Sequence, residues 1–467
     1  MNVAVVACYE LGHQPLHVAA VAARLRERGH DVRCLDLSLE PWDPEIARWA
    51  DRMAVSVPMH TAMRIARRTI EHARAAHPEL PMLAFGLYAP MLSDVADRVV
   101  AGETDEAVVE WTADRLDDAV VPLGRGDAAS SAAIPARDLL PPLERYVHLA
   151  VGDERRVVAY VEASHGCAHR CRHCPVPVIY DGRIRIVDVD AVIADVAQQV
   201  DAGAQHLSFG DPDFLNGAQH ARRVVDALHH DFPELTFDCT VKVEHILRHA
   251  DLWPAFADAG CIFVVSAFET VDDATLARLA KGHTTADMVR AVELLRELNI
   301  EIRPSWMPFT PWTTLRQIQG LLEFVADHDL VPNVDPVQFT IRLLLPPGSL
   351  LLDHPEIRPH LDGYDRDRGC YEWRSGDPAM DELQAKLASL VEADVATGVE
   401  PSVTYTAIRD ACGLPPSPGA RRAERPHLTE TWFCCAEPTD AQLAPVALGS
   451  RLLEDDPDLN RPGSATR

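Results

Sequence analysis

The feature that most constrains the fold of this 467-residue chain is a rhythm of short apolar runs and amphipathic stretches, repeated in two blocks. Short apolar runs rich in valine read as buried strands. Longer stretches with apolar positions three and four apart read as helices. In the first block "NVAVVACY", "DVRCLDL", "MAVSVPM" and "PMLAFGLY" are strands, "LHVAAVAARLRERG" is a helix stopped at Gly29, and "RVVAGETDEAVVEWTADRL" runs strand, Gly-Glu turn, helix. Such alternation buries both faces of a parallel sheet. Residues 1–120 are therefore expected to form an α/β, doubly wound Rossmann-like domain. Ligands of such sheets bind at the carboxyl ends of the strands, here Tyr9 to Pro15, Ser56 to His60, Phe85 to Pro90 and Ala101 to Glu106.

Residues 121–150 are rich in Ala, Gly, Pro and Ser and read as a linker. The alternation resumes from Val157 to about Arg342, with strand candidates "VVAYVEAS", "QHLSFGD", "TFDCTV", "CIFVVSAFE", "EIRPSWMP" and "VDPVQFTIR". Six such units fit a partial, open (β/α)6 barrel over residues 151–345 better than a closed eight-stranded one. Residues 346–467 form a less regular extension, with one clear helix in "PAMDELQAKLASLVEADVATG" and a polar tail from about Leu453 that is expected to be disordered.

Charge narrows the function. With 71 acidic against 44 basic side chains the formal charge is −27. That argues against a general nucleic-acid binder, which needs a positive face. No apolar segment reaches the ~18 residues of a bilayer span, and "MNVAVVACY" reads as a first strand rather than a leader. The expectation is a cytoplasmic protein. Its 11 cysteines, an odd number, fit a reducing compartment better than a disulfide framework. Cys8, Cys34, Cys239 and Cys261 sit in strand-like runs and read as small buried hydrophobes.

One loop departs from this composition. "EASHGCAHRCRHCP", Glu162 to Pro175, follows the first strand of the second block and spaces its thiols as Cys167-x3-Cys171-x2-Cys174. Barrel chemistry is done at the carboxyl ends of strands. Three thiolates so close in sequence can converge on one point without help from distant segments. A structural zinc site wants four ligands, and His169 or His173 is the candidate fourth. A 4Fe-4S cluster is also held by thiolates, and three of them leave one iron open. His165 and His169 read as loop residues packing over a cluster.

These residues resemble the radical S-adenosylmethionine (SAM) enzymes, whose hallmark is Cys-x3-Cys-x2-Cys after the first strand of a six-unit partial barrel. The resemblance implies a 4Fe-4S cluster on Cys167, Cys171 and Cys174, with SAM on the open iron. Its reductive cleavage then yields a radical that abstracts a substrate hydrogen. It further implies His173 near the adenine, and Gly210, Asp211 and Asp213 of "LSFGDPDFLN" near the SAM amino group. Ser266 and Glu269 of "VVSAFET" are placed at the ribose, and Arg303 at the SAM carboxylate. Arg342 is a further candidate for that site, with a structural salt bridge as its alternative. "LAKGHTTADMVRAVELLRELNIEIRPSWMPFTPWTT" resembles the corresponding region of cobalamin-type members.

A doubly wound domain ahead of such a barrel is similar to the superfamily's cobalamin-binding domain. It implies cobalamin between that domain and the barrel, against a domain that keeps the fold without the ligand. The Asp-x-His-x-x-Gly motif that donates a histidine to cobalt is absent, and His13 lacks its spacing. The C-terminal "WFCCAEP" resembles the CUAEP/CCAEP-tail radical SAM group, in which the first cysteine of the pair is selenocysteine in some members. That implies a substrate-facing or redox role for Cys434 and Cys435, with Trp432 and Phe433 packing the segment over the barrel mouth. An auxiliary cluster including Cys370 and Cys412 is the alternative.

The expected function is radical methylation of a small molecule if cobalamin is present. Without it, the expectation is group transfer to a soft element bound by the paired cysteines. An electron donor such as flavodoxin or ferredoxin is the expected partner, with no nucleic acid and no membrane. The rival class is a non-catalytic zinc- or redox-sensing protein.

Overall fold

Valine and alanine fill the first strand, β1 (Asn2–Ala7), and every residue after Asn2 in it is buried. Such a strand is covered on both faces, as in a parallel sheet with helices on either side. The chain, seen in a computed structural model that describes residues 1–102, 105–115, 120–121, 133–415 and 425–430, builds that arrangement. It divides into two units, one of Met1–Gly124 with Pro135–Pro141, the other made chiefly of Pro142–Glu437.

In the first unit β1 is followed by α1 (Leu16–Glu27), β2 (Asp31–Asp36), α2 (Pro44–Trp49), β3 (Arg52–Ser56), α3 (His60–Ala76), β4 (Met82–Phe85), β5 (Arg98–Val100), α4 (Asp105–Thr112) and β6 (Val120–Val121). The strands pair in parallel in the order β2-β1-β3-β4-β5-β6. The order reverses between β1 and β3, so the ligand crevice of this doubly wound sheet opens at the carboxyl ends of those two strands. Helix α1 ends where Gly29 takes φ +80, a conformation that costs glycine nothing. Glu103 and Thr104 of the expected Gly-Glu turn lie outside the described residues.

The second unit opens with a hairpin of β7 (His148–Val151) and β8 (Glu154–Val161). The segment read as a linker therefore contributes its last residues to the sheet. There follow β9 (Ser164–Gly166), α5 (Val176–Tyr180), β10 (Ile184–Ile186), α6 (Val189–Asp201), β11 (His206–Phe209), α7 (Ala218–Asp231), β12 (Thr236–Thr240), α8 (Val243–Arg248), α9 (Trp253–Asp258), β13 (Cys261–Glu269), α10 (Asp273–Arg278), α11 (Thr285–Glu297), β14 (Glu301–Trp306) and α12 (Leu315–Asp327). Strands β8, β11, β12, β13 and β14 are parallel neighbours, with the helices packed on one face around Val161, Phe209, Phe237, Val264 and Trp306. This is an open half-barrel.

The expected sixth strand is not one. Pro336–Thr340 is a 3-10 turn, and only a bridge between Phe309 and Arg342 follows it. Pro336 has no N–H to give a ladder. Thr340 Oγ1 bonds back to Val337 O at 2.8 Å, and Gln338 Oε1 accepts from Trp306 N at 3.1 Å. A side-chain amide thus supplies the acceptor that a neighbouring strand would have offered.

The extension forms the hairpin β15 (Leu361–Asp365) and β16 (Cys370–Trp373), then α13 (Pro378–Ala396), α14 (Pro401–Ala411) and a final short strand, β17 (His427–Leu428). β17 pairs antiparallel with β7. Leu428 packs in the cluster that contains Phe263 of β13, and Arg425 pairs with Glu301 of β14 and, at 2.9 Å, with Asp329. The segment 425–430 therefore straps the two edges of the open sheet together.

Candidate functional site

The three-cysteine loop is held from several sides. Ser164–Gly166 pairs with Ile184–Ile186. Gly166 has φ +78, and a Cβ on it would stand 2.4 Å from Arg183 O and 2.5 Å from the Tyr180 ring. Only glycine lets the chain turn there into Cys167. Upstream, the buried Asp211 carboxylate accepts from Ala163 N at 2.9 Å and Ser164 Oγ at 2.5 Å. Burial pushes that carboxyl up to about 7 despite both hydrogen bonds. Downstream, Arg172 donates from its backbone N to Leu279 O at 2.9 Å, and its guanidinium donates to Arg278 O at 2.7 Å. Arg172 O in turn accepts from Leu351 N and Ser349 Oγ, both at 2.9 Å.

Within this frame Cys167 and Cys171 are buried and Cys174 is half-buried. Burial raises the Cys167 thiol above its ordinary value, and its Sγ lies 3.8 Å from Asn216 Oδ1, which also accepts from Ala168 N at 3.2 Å. Sulfurs sharing one tetrahedral zinc would stand about 3.8 Å apart. The three thiols do not form a set within 4.8 Å, whereas His169, Asp213 and His245 do. Each histidine of the loop meets a carboxylate: His165 Nδ1 at 2.5 Å from Glu162 Oε2, His169 Nε2 at 3.5 Å from Asp213 Oδ2, and His173 Nε2 at 3.1 Å from Glu269 Oε1. Each loop histidine thus has one ring nitrogen facing a carboxylate.

Glu269 ends β13 with φ +65, in the left-handed region, just past an irregularity in the pairing with β14. Lys281 Nζ donates to its Oε1 at 2.9 Å, and the two residues are 3 % and 4 % exposed. Burial works against both charges, yet each holds the other ionised. Lys281 and His173 keep Glu269 far below the usual carboxylate range, and Glu269 keeps Lys281 above the usual lysine range. His283 is lowered to about 4 by burial and then by the Lys281 charge. Its ring nitrogens make no well-aligned hydrogen bond among the described residues, with the Phe268 backbone the near neighbour.

The family model described as the Radical SAM superfamily matches residues 161–325, from the end of β8 to α12, cysteine loop included. A second, the B12 binding domain, matches residues 2–111. The matches make residues 161–325 a radical SAM domain and residues 2–111 a B12-binding domain. The chain is 22 % identical over 332 residues to the hopanoid C-3 methylase of Methylococcus capsulatus, covering 64 % of this chain and 62 % of the methylase. It is 26 % identical over 186 residues to the ribosomal protein uS12 methylthiotransferase RimO of Porphyromonas gingivalis (strain W83), covering 37 % of this chain and 42 % of that enzyme. It thus spans less than two thirds of either relative. The radical SAM fold with its B12-binding domain is shared with the cobalamin-dependent enzyme OxsB bound to aqua-cobalamin and SAM, at TM-score 0.67 and 13 % identity, over 87 % of this chain and 68 % of that one. It is also shared with the methyltransferase TsrM of Kitasatospora setae, at TM-score 0.53 and 17 % identity, over 70 % and 73 %. Radical SAM enzymes use a 4Fe-4S cluster and SAM.

The radical SAM domain fits those groups by its orphaned polar atoms. His173 Nδ1 and Asn216 Nδ2 are buried without a hydrogen-bond partner among the described residues, and the His283 nitrogens are buried without a well-aligned one, all close in sequence or contact to the cysteine loop or to Glu269. Buried polar atoms are rarely left so unless a ligand completes them. The B12-binding domain shows the same sign beside its crevice. Ser56 Oγ is buried without a partner. Gly86 has φ +114 and a Cβ there would come 2.8 Å from Val57 O, and the His60 and Tyr88 rings meet edge to face at 5.8 Å.

The remaining expected residues are dispersed. Gly210 is required by its neighbour, since a Cβ would lie 2.0 Å from Tyr160 Oη. Asp211 is committed to the backbone before the loop, and Asp213 to His245 and to capping Leu215 N at 3.1 Å. Ser266 stands on the face of β13 shared by Val264 and Phe268, toward the helices, and is not brought beside Glu269. Arg303 reaches Asp335 Oδ2 at 3.3 Å and Pro426 O at 3.4 Å, lining a small cavity with Phe263, Val265, Gln338, Leu428 and Glu430. Arg342 takes the salt-bridge alternative. It pairs with Asp381 at 2.6 Å and stacks 3.7 Å over the Trp373 ring, so it is an anchor for α13.

Cys412 packs in the main core with its thiol pushed up to about 11 by burial, while Cys370 lies in the β15–β16 hairpin. Cys8, Cys239 and Cys261 are buried and Cys34 half-buried, the thiols of Cys8, Cys34 and Cys239 raised by burial, as small apolar side chains would be. Cys434 and Cys435, with Trp432, Phe433 and the tail beyond Leu453, lie outside the described residues. Sequence reasoning does not mark Lys281 or His245 as functional residues. The Lys-Gly-His-Thr run was the available signal for the first; none marked the second. No helix among the described residues is long and apolar enough to cross a membrane.

Proposed function

We propose that this protein cleaves SAM reductively and methylates an unactivated carbon of a small molecule with cobalamin as methyl carrier. The observation that carries the reading is the three-thiol loop whose histidines are turned to carboxylates, in a chain that also matches the B12-binding domain. When bound, the cluster would supply one electron to the sulfonium of SAM, and the corrin a transferable methyl group. Cys167, Cys171 and Cys174 hold the iron. His173 Nδ1 and His283 offer hydrogen-bonding atoms to the nucleoside, and the Glu269–Lys281 pair fixes the ring of His173. Ser56, His60, Gly86 and Tyr88 are the candidates to line the corrin site. The names of the hopanoid C-3 methylase, the methylthiotransferase RimO and the methyltransferase TsrM support group transfer of one-carbon or sulfur-containing units.

A substrate-facing role for Cys434 and Cys435 is supported by the resemblance of "WFCCAEP" to the paired-cysteine tail of the CUAEP/CCAEP group. An electron donor of the flavodoxin or ferredoxin type completes the reaction.

Anaerobic reconstitution tests this. The expected result is about four irons per chain with broad absorption near 400 nm, bound corrinoid, and SAM turnover with a reductant. Colourless protein carrying stoichiometric zinc would reject the enzyme reading. SAM cleavage without corrinoid would reject the methylation step and leave group transfer to a soft element on the paired cysteines.

A further inference from the structure

Between two of the cluster cysteines the loop turns one imidazole toward a second buried group. His169 Nε2 lies 3.1 Å from His245 Nε2 on α8 and 3.5 Å from Asp213 Oδ2, which follows β11. His245 Nδ1 lies 2.9 Å from the same oxygen. The two rings are 4.4 Å apart at a tilt of 53°. Asp213 is wholly buried and His245 nearly so. Asp213 Oδ1 is spent on the cap of Leu215, so Oδ2 is the oxygen presented to the imidazoles.

Two facts distinguish this group from an ordinary hydrogen-bonded string. Asp213 Oδ2 and His245 Nδ1 are buried 2.9 Å apart but poorly aligned for a hydrogen bond. One ligand atom from each of the three residues lies within 4.8 Å of the others. Nitrogen and oxygen ligands about 2.0 to 2.1 Å from one tetrahedral ion stand about 3.3 Å apart. Asp213 Oδ2 stands 3.5 Å from His169 Nε2, and His245 offers either Nδ1, 2.9 Å from Asp213 Oδ2, or Nε2, 3.1 Å from His169 Nε2, so either choice keeps two of the three separations near that value. The other nitrogen of His169 faces Glu244 Oε2 at 3.7 Å, an outer carboxylate near it but beyond hydrogen-bond distance.

We propose that His169, Asp213 and His245 bind a divalent transition-metal ion of the zinc class at a second site, separate from the three thiols. Two imidazoles and one carboxylate suit such an ion, and a water or a substrate heteroatom would take the remaining position. A small turn of the His245 ring aims one nitrogen at the ion. The site ties α8 and the turn after β11 to the cysteine loop, and it assigns Asp213 to the metal rather than to SAM. This inference does not rest on the methylation reading.

The test uses the full chain, reconstituted anaerobically with iron and sulfide, then incubated with Zn2+ and desalted. The expected result is about one zinc per chain beside about four irons. His245→Ala should lower zinc affinity at least ten-fold in competition with a chromophoric chelator, with iron unchanged. Asp213→Asn keeps Oδ1 for the cap and should weaken zinc similarly, which guards against a folding defect in the first variant. Failure of the wild-type chain to retain zinc, or equal retention by both variants, overturns the proposal.

Discussion

Lys281 Nζ donates to Glu269 Oε1 at 2.9 Å, with His173 Nε2 on the same oxygen at 3.1 Å and all three side chains nearly sealed from solvent. A helix–loop residue, a strand end and the cysteine loop are thereby tied through one carboxylate oxygen. Removing one member of such a pair leaves the other charge buried alone. Lys281→Met is expected to cost about 3 to 5 kcal/mol of stability. The Lys281→Met/Glu269→Gln double variant should cost clearly less than the two single changes summed, as read from urea unfolding of the apoprotein.

Gly166→Ala should disturb the loop at its entry. The backbone carbonyl of Arg183, at 2.4 Å from the added carbon, cannot swing aside as a side chain would. A destabilisation of about 2 kcal/mol is expected from the left-handed conformation and the clash. Iron content after reconstitution should fall well below that of the wild type. Adding Tyr180→Ala should not restore it.

Asp211 gives stability a pH signature. Its carboxyl has a folded value of about 7 against 3.8 unfolded, so the neutral form is the one the fold favours. Its contribution is fully present below about pH 4 and is lost as pH rises through 7. Asp211→Asn keeps an acceptor for Ala163 N and offers a donor to Ser164 Oγ. The variant should gain on the wild type by on the order of a few kcal/mol between pH 4 and pH 8. A pH-independent difference in unfolding free energy would contradict this.

Arg342→Lys should separate anchoring from cofactor binding. The lysine keeps the charge for Asp381 but loses the planar stack on Trp373. A loss of about 1 kcal/mol is expected, with SAM cleavage and the KM for SAM unchanged. A KM raised ten-fold with no change in stability would return Arg342 to the SAM site.

Cys434→Ala is expected to spare SAM cleavage while stopping formation of the methylated product, measured in one reaction by following both. Unchanged product formation would remove the proposed role of the pair.

Much of the fold was legible because its signals are local. Apolar runs such as "NVAVVACY" and "CIFVVSAFE" are strands here, the first buried on both faces and the second with one face only half-buried. The sixth unit misled because "VDPVQFTIR" has strand composition. A proline without a donor and a glutamine amide that satisfies Trp306 N made a turn the better solution. The linker composition before Val151 likewise hid β7, whose pairing depends on a hairpin formed with β8. In the site, Glu269 and His173 were both singled out, yet the lysine that joins them was not. Arg342 reads equally as a SAM-site residue or a structural salt bridge until Asp381 and Trp373 are seen beside it.

The sequence by itself determined the two alternating blocks and the three-thiol loop, because hydrophobic period and short-range spacing act within a few residues. Tertiary structure alone decided which charges face one another: Lys281 with Glu269, His245 with Asp213, Arg342 with Asp381. The physical reason is that a buried polar group takes whichever partner the packed backbone brings within about 3 Å, and separation along the chain carries no record of that choice.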